Sequence, residues 1–443
     1  MEDTLTRAIL EAAGLPDSGE EANTVASVRG GRAKSPIFLH SLFRSGSTYF
    51  FQCFRRSPQN YWTYQEPLHE YTVAFGKSES GHRRLRSIRR LTEFALQKHL
   101  RHPALGSKGY FHELEQTWPE WKGRLFEDSV YHHYFAQSAD GVAKEYFHAL
   151  INASRGTPVI QECRTSNRIE PMKQEFGGSH VFLWRNPWDQ WWSYVMEPYF
   201  ESANQLIAWS ENPPDILRDV REEMPVQPLS YGTLQDRLFQ IIQLPTESHL
   251  SYRLFYSIWC LALDHALGAA DVTVNIDALS DSPEYRSEVI KKLEKIGAKG
   301  LDFWDCDVPQ SLYSDSEISF FTDIEESVHR DLLESGWTKK RLDRVLEQKK
   351  LHDPVRRAAG ARASDDVAHR EISKTREEFL ATRDRVLANV KSRDPIVRYA
   401  GIEGGSRRLG PRILQVMQQR YYRGRLKRIT NRLFALRDRA SRR

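Results

Sequence analysis

Residues Pro36 to Tyr49 read PIFLHSLFRSGSTY, and this stretch leaves few folds open. Ile37, Phe38 and Leu39 form a short apolar run of the kind buried as a strand. A polar loop follows at once, Arg44-Ser45-Gly46-Ser47-Thr48, and then Tyr49, Phe50, Phe51, Cys53 and Phe54 supply an apolar helical face. Strand, tight glycine-bearing loop and helix together make a cradle for phosphate. Backbone N–H groups at the helix start point at the anion, and the helix dipole favours negative charge there. The serine and threonine hydroxyls add donors, and Arg44 adds a full positive charge. A plain strand-to-helix turn capped by serine or threonine would look similar. The loop is not a Walker A motif, which needs G-x-x-x-x-G-K-[ST]. Ser41 stands where its first glycine would be, Ser47 where its lysine would be, and the cation precedes the glycine.

A second stretch agrees with the first. Residues Val181 to Tyr194 read VFLWRNPWDQWWSY. Val181 to Trp184 is another buried-strand run, with Arg185 at its C-terminal end. Asn186-Pro187 forces a turn and suits the first turn of a helix. Ser193 follows Arg185 by eight residues, about two helical turns. That spacing brings a guanidinium from the strand end and a hydroxyl from the helix toward one phosphate.

The ordered pair of motifs resembles the sulfotransferases that use 3′-phosphoadenosine-5′-phosphosulfate (PAPS). The resemblance covers roughly residues 35–302 and is closer to the bacterial and Golgi carbohydrate-type branches than to the cytosolic small-molecule branch. It implies a P-loop-type α/β fold, a three-layer parallel sheet flanked by helices. It places Arg44, Ser45, Gly46, Ser47 and Thr48 on the 5′-phosphosulfate, and Arg185 and Ser193 on the 3′-phosphate. Gln65-Glu66-Pro67-Leu68-His69-Glu70 is similar to the Glu-Pro segment of carbohydrate-type members. Pro158 to Arg164 fits a strand ahead of the Arg185 strand, and Val272 to Leu279 a late strand. The histidine of the cytosolic branch is missing: its place falls near Cys163, with Gln161 at the lysine position. The Arg-Lys-Gly nucleotide clamp is missing too, which leaves adenine recognition unassigned.

Sulfuryl transfer needs a base for the acceptor hydroxyl and a cation for the leaving phosphate. Glu66 is the expected base, with its backbone fixed by the following proline, and Arg44 the expected catalytic cation. His69 and Glu162 are the alternatives; Glu162 also reads as a strand carboxylate paired with Arg164 or Arg168. No metal is expected, since sulfuryl carries less charge than phosphoryl and no Cys/His zinc spacing is present. His132 and His133 are adjacent and would point apart on a helix or a strand. Two rivals are a nucleotide or sugar kinase with a degenerate P-loop, and a non-catalytic sulfotransferase-like interaction protein.

At 443 residues the chain can hold one large α/β domain with additions. Residues 1–34 read as a short helix and linker, 35–315 as the sulfotransferase-like domain with a helical insertion over 70–153, and 316–443 as a charged helical extension. Residues 197–250, rich in proline, read as loops and short helices able to form a lid. Trp118, Trp121, Trp188, Trp191 and Trp192 read either as platforms for sugar rings or as core. The N-terminus lacks a basic start and a long apolar region, and the four cysteines read as buried thiols, so a cytoplasmic location is expected. Residues 401–443 hold thirteen Arg or Lys against two acids, a net +11 in a chain of +5 overall. Their basic amphipathic pattern predicts contact with an anionic membrane surface, or a helix docked on the core with a solvated basic face. The expected partner is a hydroxyl acceptor, a saccharide or glycolipid by preference, and no specific nucleic acid.

Overall fold

Alternation along the first strand sets the layers. In β1 (Ile37–Ser41), Ile37 and Leu39 face one hydrophobic cluster and Phe38 the other, so helices must cover both faces. The computed structural model describes residues 35–351, except 78–79, 100–107, 197, 225–226, 229–231, 243–245 and 309–310, together with 372 and 374–385. The expected N-terminal helix and linker and the basic segment 401–443 lie outside the described residues.

Five parallel strands form one sheet: β1, β2 (Tyr61–Gln65), β3 (Thr157–Glu162), β4 (Ser179–Trp184) and β5 (Val272–Asn275), in the order β2-β3-β1-β4-β5. The chain is thus α/β, with a parallel sheet between helices. The helices that position the site are α1 (Ser47–Arg56), α2 (Glu70–Gly76), α3 (Ile169–Phe176), α4 (Pro187–Val195), α5 (Pro198–Ala208), α6 (Ser248–Ala269), α7 (Ile276–Asp281), α8 (Asp315–Glu334) and α9 (Lys339–Lys350). Phe50, Phe51 and Phe54 of α1 pack on the Ile37/Leu39 face with Val159, Val181, Leu183 and Val274. Burying each such ring contributes roughly 1.5–3 kcal/mol.

β1 and β4 are neighbours, with Ser41 opposite Leu183. After β1 the chain turns toward the β2 edge, and after β4 toward the β5 edge. The β1/β4 boundary is therefore the switch point of the sheet, where a crevice opens beyond the C-terminal strand ends.

The late strand is shorter than expected. β5 stops at Asn275, whose side chain accepts from Ala278 N at 2.7 Å and starts α7. Asp277 is thus helical rather than extended. The next helix runs from Pro283 to Lys295, started by Ser282. All five tryptophans offered as sugar platforms are buried in the hydrophobic core. The four cysteines are buried and unbridged. Helices α8 and α9, which fall in the expected C-terminal extension, share the core with α4 and α6: Trp188 stacks on Phe321, and Glu325 accepts from Trp188 Nε1 and Tyr252 Oη, both at 2.7 Å. Among the described residues no helix is long and apolar enough to cross a membrane.

A buried polar line runs through the other face. His180 Nε2 lies 3.0 Å from the Gly177 carbonyl, so that nitrogen carries the proton. His180 Nδ1 must then accept, and His40 Nε2 donates to it at 2.9 Å. His40 Nδ1 in turn accepts from Thr165 Oγ1 at 2.7 Å. Adding a proton would set donor against donor. Burial lowers both histidines, His180 to about 4, and the two charges oppose each other at His40. The unfolded chain binds these protons near pH 6.5 and the folded one does not, so their contribution is present above 6.5 and lost as pH falls toward 4. Glu162, raised to about 7, acts in the opposite sense between 4.5 and 7. Denaturant titrations should therefore compare wild type with His180→Gln, which should lose about one proton's worth of slope between pH 6.5 and 4. Equal slopes would show that His180 is not held neutral.

Candidate functional site

The loop after β1 is built to leave donors unused. Gly46 is the N-cap of α1 at φ +85°, with no side-chain cap, so no serine or threonine closes the helix start. A Cβ on Gly46 would come 2.8 Å from Ile276 Cγ2, so both its φ and its contact with α7 demand glycine. Arg44 is also left-handed, at φ 66°. Ser45 Oγ is fully buried with no hydrogen-bond partner among the described residues. An uncapped helix start, an orphaned hydroxyl and an arginine are together chemistry that can hold an anion. Gln190 Nε2 of α4 donates to the Phe43 carbonyl at 2.7 Å and ties the loop to its neighbour.

The second motif folds as its residues direct. Arg185 sits directly after β4, Asn186 caps α4 by accepting from Trp188 N at 2.9 Å, and Pro187 fills the first turn. Across the switch point, Arg44 Nε donates to Ser193 Oγ at 2.9 Å. Residues 149 positions apart thus meet, and the loop arginine joins the helix hydroxyl expected on the other phosphate. Arg185 Nε donates to Asp277 Oδ1 at 3.1 Å, while Asp277 Oδ2 accepts from Asn186 N at 2.6 Å. Burial works against the Arg185 charge, but Asp277 and then Asp189 outweigh it and raise its pKa. Asp277 has no counterpart among the expected site residues; its one sequence signal was its place in the late strand expected over Val272 to Leu279.

Glu66 lies one residue beyond β2 at φ 44°, nearly buried. Tyr110 Oη donates to its Oε1 and Arg164 Nη1 to its Oε2, both at 3.1 Å. Burial raises the Tyr110 pKa most, the Glu66 charge adds to the rise and the Thr48 hydroxyl opposes it, so Glu66 and Thr48 of the anion loop both neighbour this phenol. Arg164 lies over the Phe43 ring at 5.0 Å, next in sequence to Arg44. The structure thus brings Glu66, Arg44, Thr48 and Ser193 to one mouth.

Arg164 is the hub of this mouth and was not among the expected site residues. It also bonds Glu70 and Tyr199 Oη, and Glu162 Oε2 lies 3.7 Å from its Nη1. Three carboxylates on one buried guanidinium cannot be equivalent. Burial alone would raise Glu70, but Arg164, His69 and the Tyr131 and Tyr199 hydroxyls hold it at about 2. Glu162 is pushed up to about 7 by burial against the pull of Arg164, with the charge of Glu66 adding to the rise. It accepts from Leu68 N and otherwise braces the turn. His69, the other alternative base, is the N-cap of α2, and its Nδ1 accepts from Tyr71 N at 3.2 Å. Burial lowers its pKa first, with Glu70 pulling the other way. Both alternatives are thus committed to local structure, and Glu66 is held by Tyr110 and Arg164.

One orientation expected from sequence is corrected. His132 and His133 lie in a turn, not a helix or strand, and their rings sit 5.3 Å apart facing the same carboxylate, Glu211. The alternation that separates neighbours in regular structure does not apply to a turn.

Chemically, the residues can hold an anion at the α1 start and a second anion near Arg185 and Ser193, with the Glu66 carboxylate on the β2 side of the loop, away from β4. Searches against family models, curated proteins and solved structures return no match to this chain.

Proposed function

We propose that this protein is a sulfotransferase that moves the sulfuryl group of PAPS to an acceptor hydroxyl. The observation that carries the proposal is the Arg44–Ser193 hydrogen bond across the β1/β4 switch point. It joins two loops that the sequence separates by 141 residues, counted between their arginines. A ligand charged at two places would use both.

In this reaction the acceptor oxygen attacks sulfur in line. The new S–O bond forms as the bond to the 5′-phosphate oxygen breaks, and the bonding pair leaves on that phosphate. Glu66 takes the hydroxyl proton, and Arg44 with the α1 N–H groups steadies the departing phosphate. Arg164 keeps Glu66 aimed by its 3.1 Å bond. Ser45 to Thr48 hold the sulfonated end in a P-loop-type cradle, and Arg185 with Ser193 the 3′-phosphate. A saccharide or glycolipid acceptor is preferred. Tyr71, half-exposed and stacked on His69 at 4.9 Å, offers a ring face two helix positions from the Glu66 turn.

Calorimetric titration with 3′-phosphoadenosine-5′-phosphate, ATP and buffer tests the proposal. The bisphosphate should bind without magnesium and more tightly than ATP. Magnesium-dependent ATP binding with no heat from the bisphosphate would favour a kinase instead, and no binding of either would leave an interaction protein.

A further inference from the structure

Away from this mouth, two imidazoles and a carboxylate converge on the surface. His133 Nε2 lies 3.7 Å and His132 Nε2 3.9 Å from Glu211 Oε2, and all three ligand atoms fall within 4.8 Å of one another. These separations are too long for hydrogen bonds. They are shorter than about 4.2 Å, twice a typical zinc–ligand bond of ~2.1 Å, so one ion can touch the carboxylate and either ring. The backbone already fixes the two segments: Glu211 N donates to the His132 carbonyl at 2.7 Å, and His133 N to the Asp128 carbonyl at 2.9 Å. Closing the three side chains on an ion therefore needs side-chain rotation only.

We propose that His132, His133 and Glu211 bind a divalent transition-metal ion of the zinc class, clamping the 131–133 turn to the segment that follows α5. Two imidazoles with one carboxylate suit zinc, cobalt, nickel or copper rather than calcium or magnesium, which prefer all-oxygen sets. Three protein ligands leave a position for water.

The two clamped segments also serve the mouth. The turn carries Tyr131, whose hydroxyl donates to Glu70, and α5 carries Tyr199, which donates to Glu70 at 2.7 Å. The ion would brace the two elements that deliver these hydroxyls to the Arg164 cluster. The site stands independently of the sulfotransferase proposal.

Full-length protein freed of any purification tag would be titrated with zinc by calorimetry and with cobalt by visible absorption. One ion per chain should bind, cobalt should give ligand-field bands, and magnesium should give neither heat nor a thermal shift. His133→Ala and Glu211→Gln should each weaken binding by roughly tenfold or more. His148→Ala, which breaks a separate surface pair with Glu175 at 2.8 Å, should leave it unchanged. All three residues of the cluster are at least partly exposed, so the variants should melt as wild type does without metal. No saturable binding by wild type, or wild-type affinity in both cluster variants, overturns the proposal.

Discussion

Glu66→Gln should bind 3′-phosphoadenosine-5′-phosphate as wild type does and lose turnover by about 10²–10⁴-fold, the usual worth of a positioned base. Glutamine keeps the shape: its carbonyl oxygen can still accept from Arg164 while its amide NH2 donates to the Tyr110 hydroxyl, so the mouth should stay assembled. What it cannot do is take a proton. Glu162→Gln is the informative partner. Glu162 is held near 7 by burial, and its neutral form already resembles the amide. That substitution should change activity little near neutral pH. Sulfuryl transfer from labelled PAPS to a glycan panel, run beside calorimetry, measures both. Full turnover in Glu66→Gln would remove Glu66 as the base, and a large loss in Glu162→Gln would move the role there.

Arg185→Ala should abolish measurable binding of the bisphosphate, and it should also destabilise the fold. Asp277 is fully buried, and removing its cation leaves an unpaired charge, at a cost of about 3–5 kcal/mol. Loss of binding in that variant alone would therefore be ambiguous. Arg185→Ala combined with Asp277→Asn separates the two effects. The amide can still accept from Asn186 N while carrying no charge, so stability should largely return. Binding should not return, because the guanidinium that meets the phosphate is still gone. Denaturant melts and calorimetry on the three proteins decide the matter. Bisphosphate bound normally by the double variant would make Arg185 a structural half of an ion pair and nothing more.

Much of the site was legible because its parts are local. The strand run Ile37–Leu39, the loop Arg44–Thr48 and the Asn186-Pro187 helix start each depend on neighbours in sequence, and each formed as patterned. The start of α1 is a partial exception: Gly46 in the left-handed region begins it, so Ser47 and Thr48 are helical. β2 was not isolated from the sequence, since Tyr61–Gln65 gains its strand character by pairing with β3. The end of β5 was misplaced because VTVNIDAL is apolar enough for a strand, while Asn275 caps a helix there.

By itself the sequence determined where chemistry could lie: an arginine before a glycine at one strand end, an arginine and a serine two turns apart at another, and a glutamate before a proline. Those are short-range facts, set by backbone preference and spacing. The tertiary structure alone decided which of them meet. The sheet order makes β1 and β4 neighbours, so Arg44 reaches Ser193, and Arg164 draws Glu66, Glu70 and Glu162 onto one buried charge. Buried charges must find partners wherever the fold supplies them, and no local pattern records those partners.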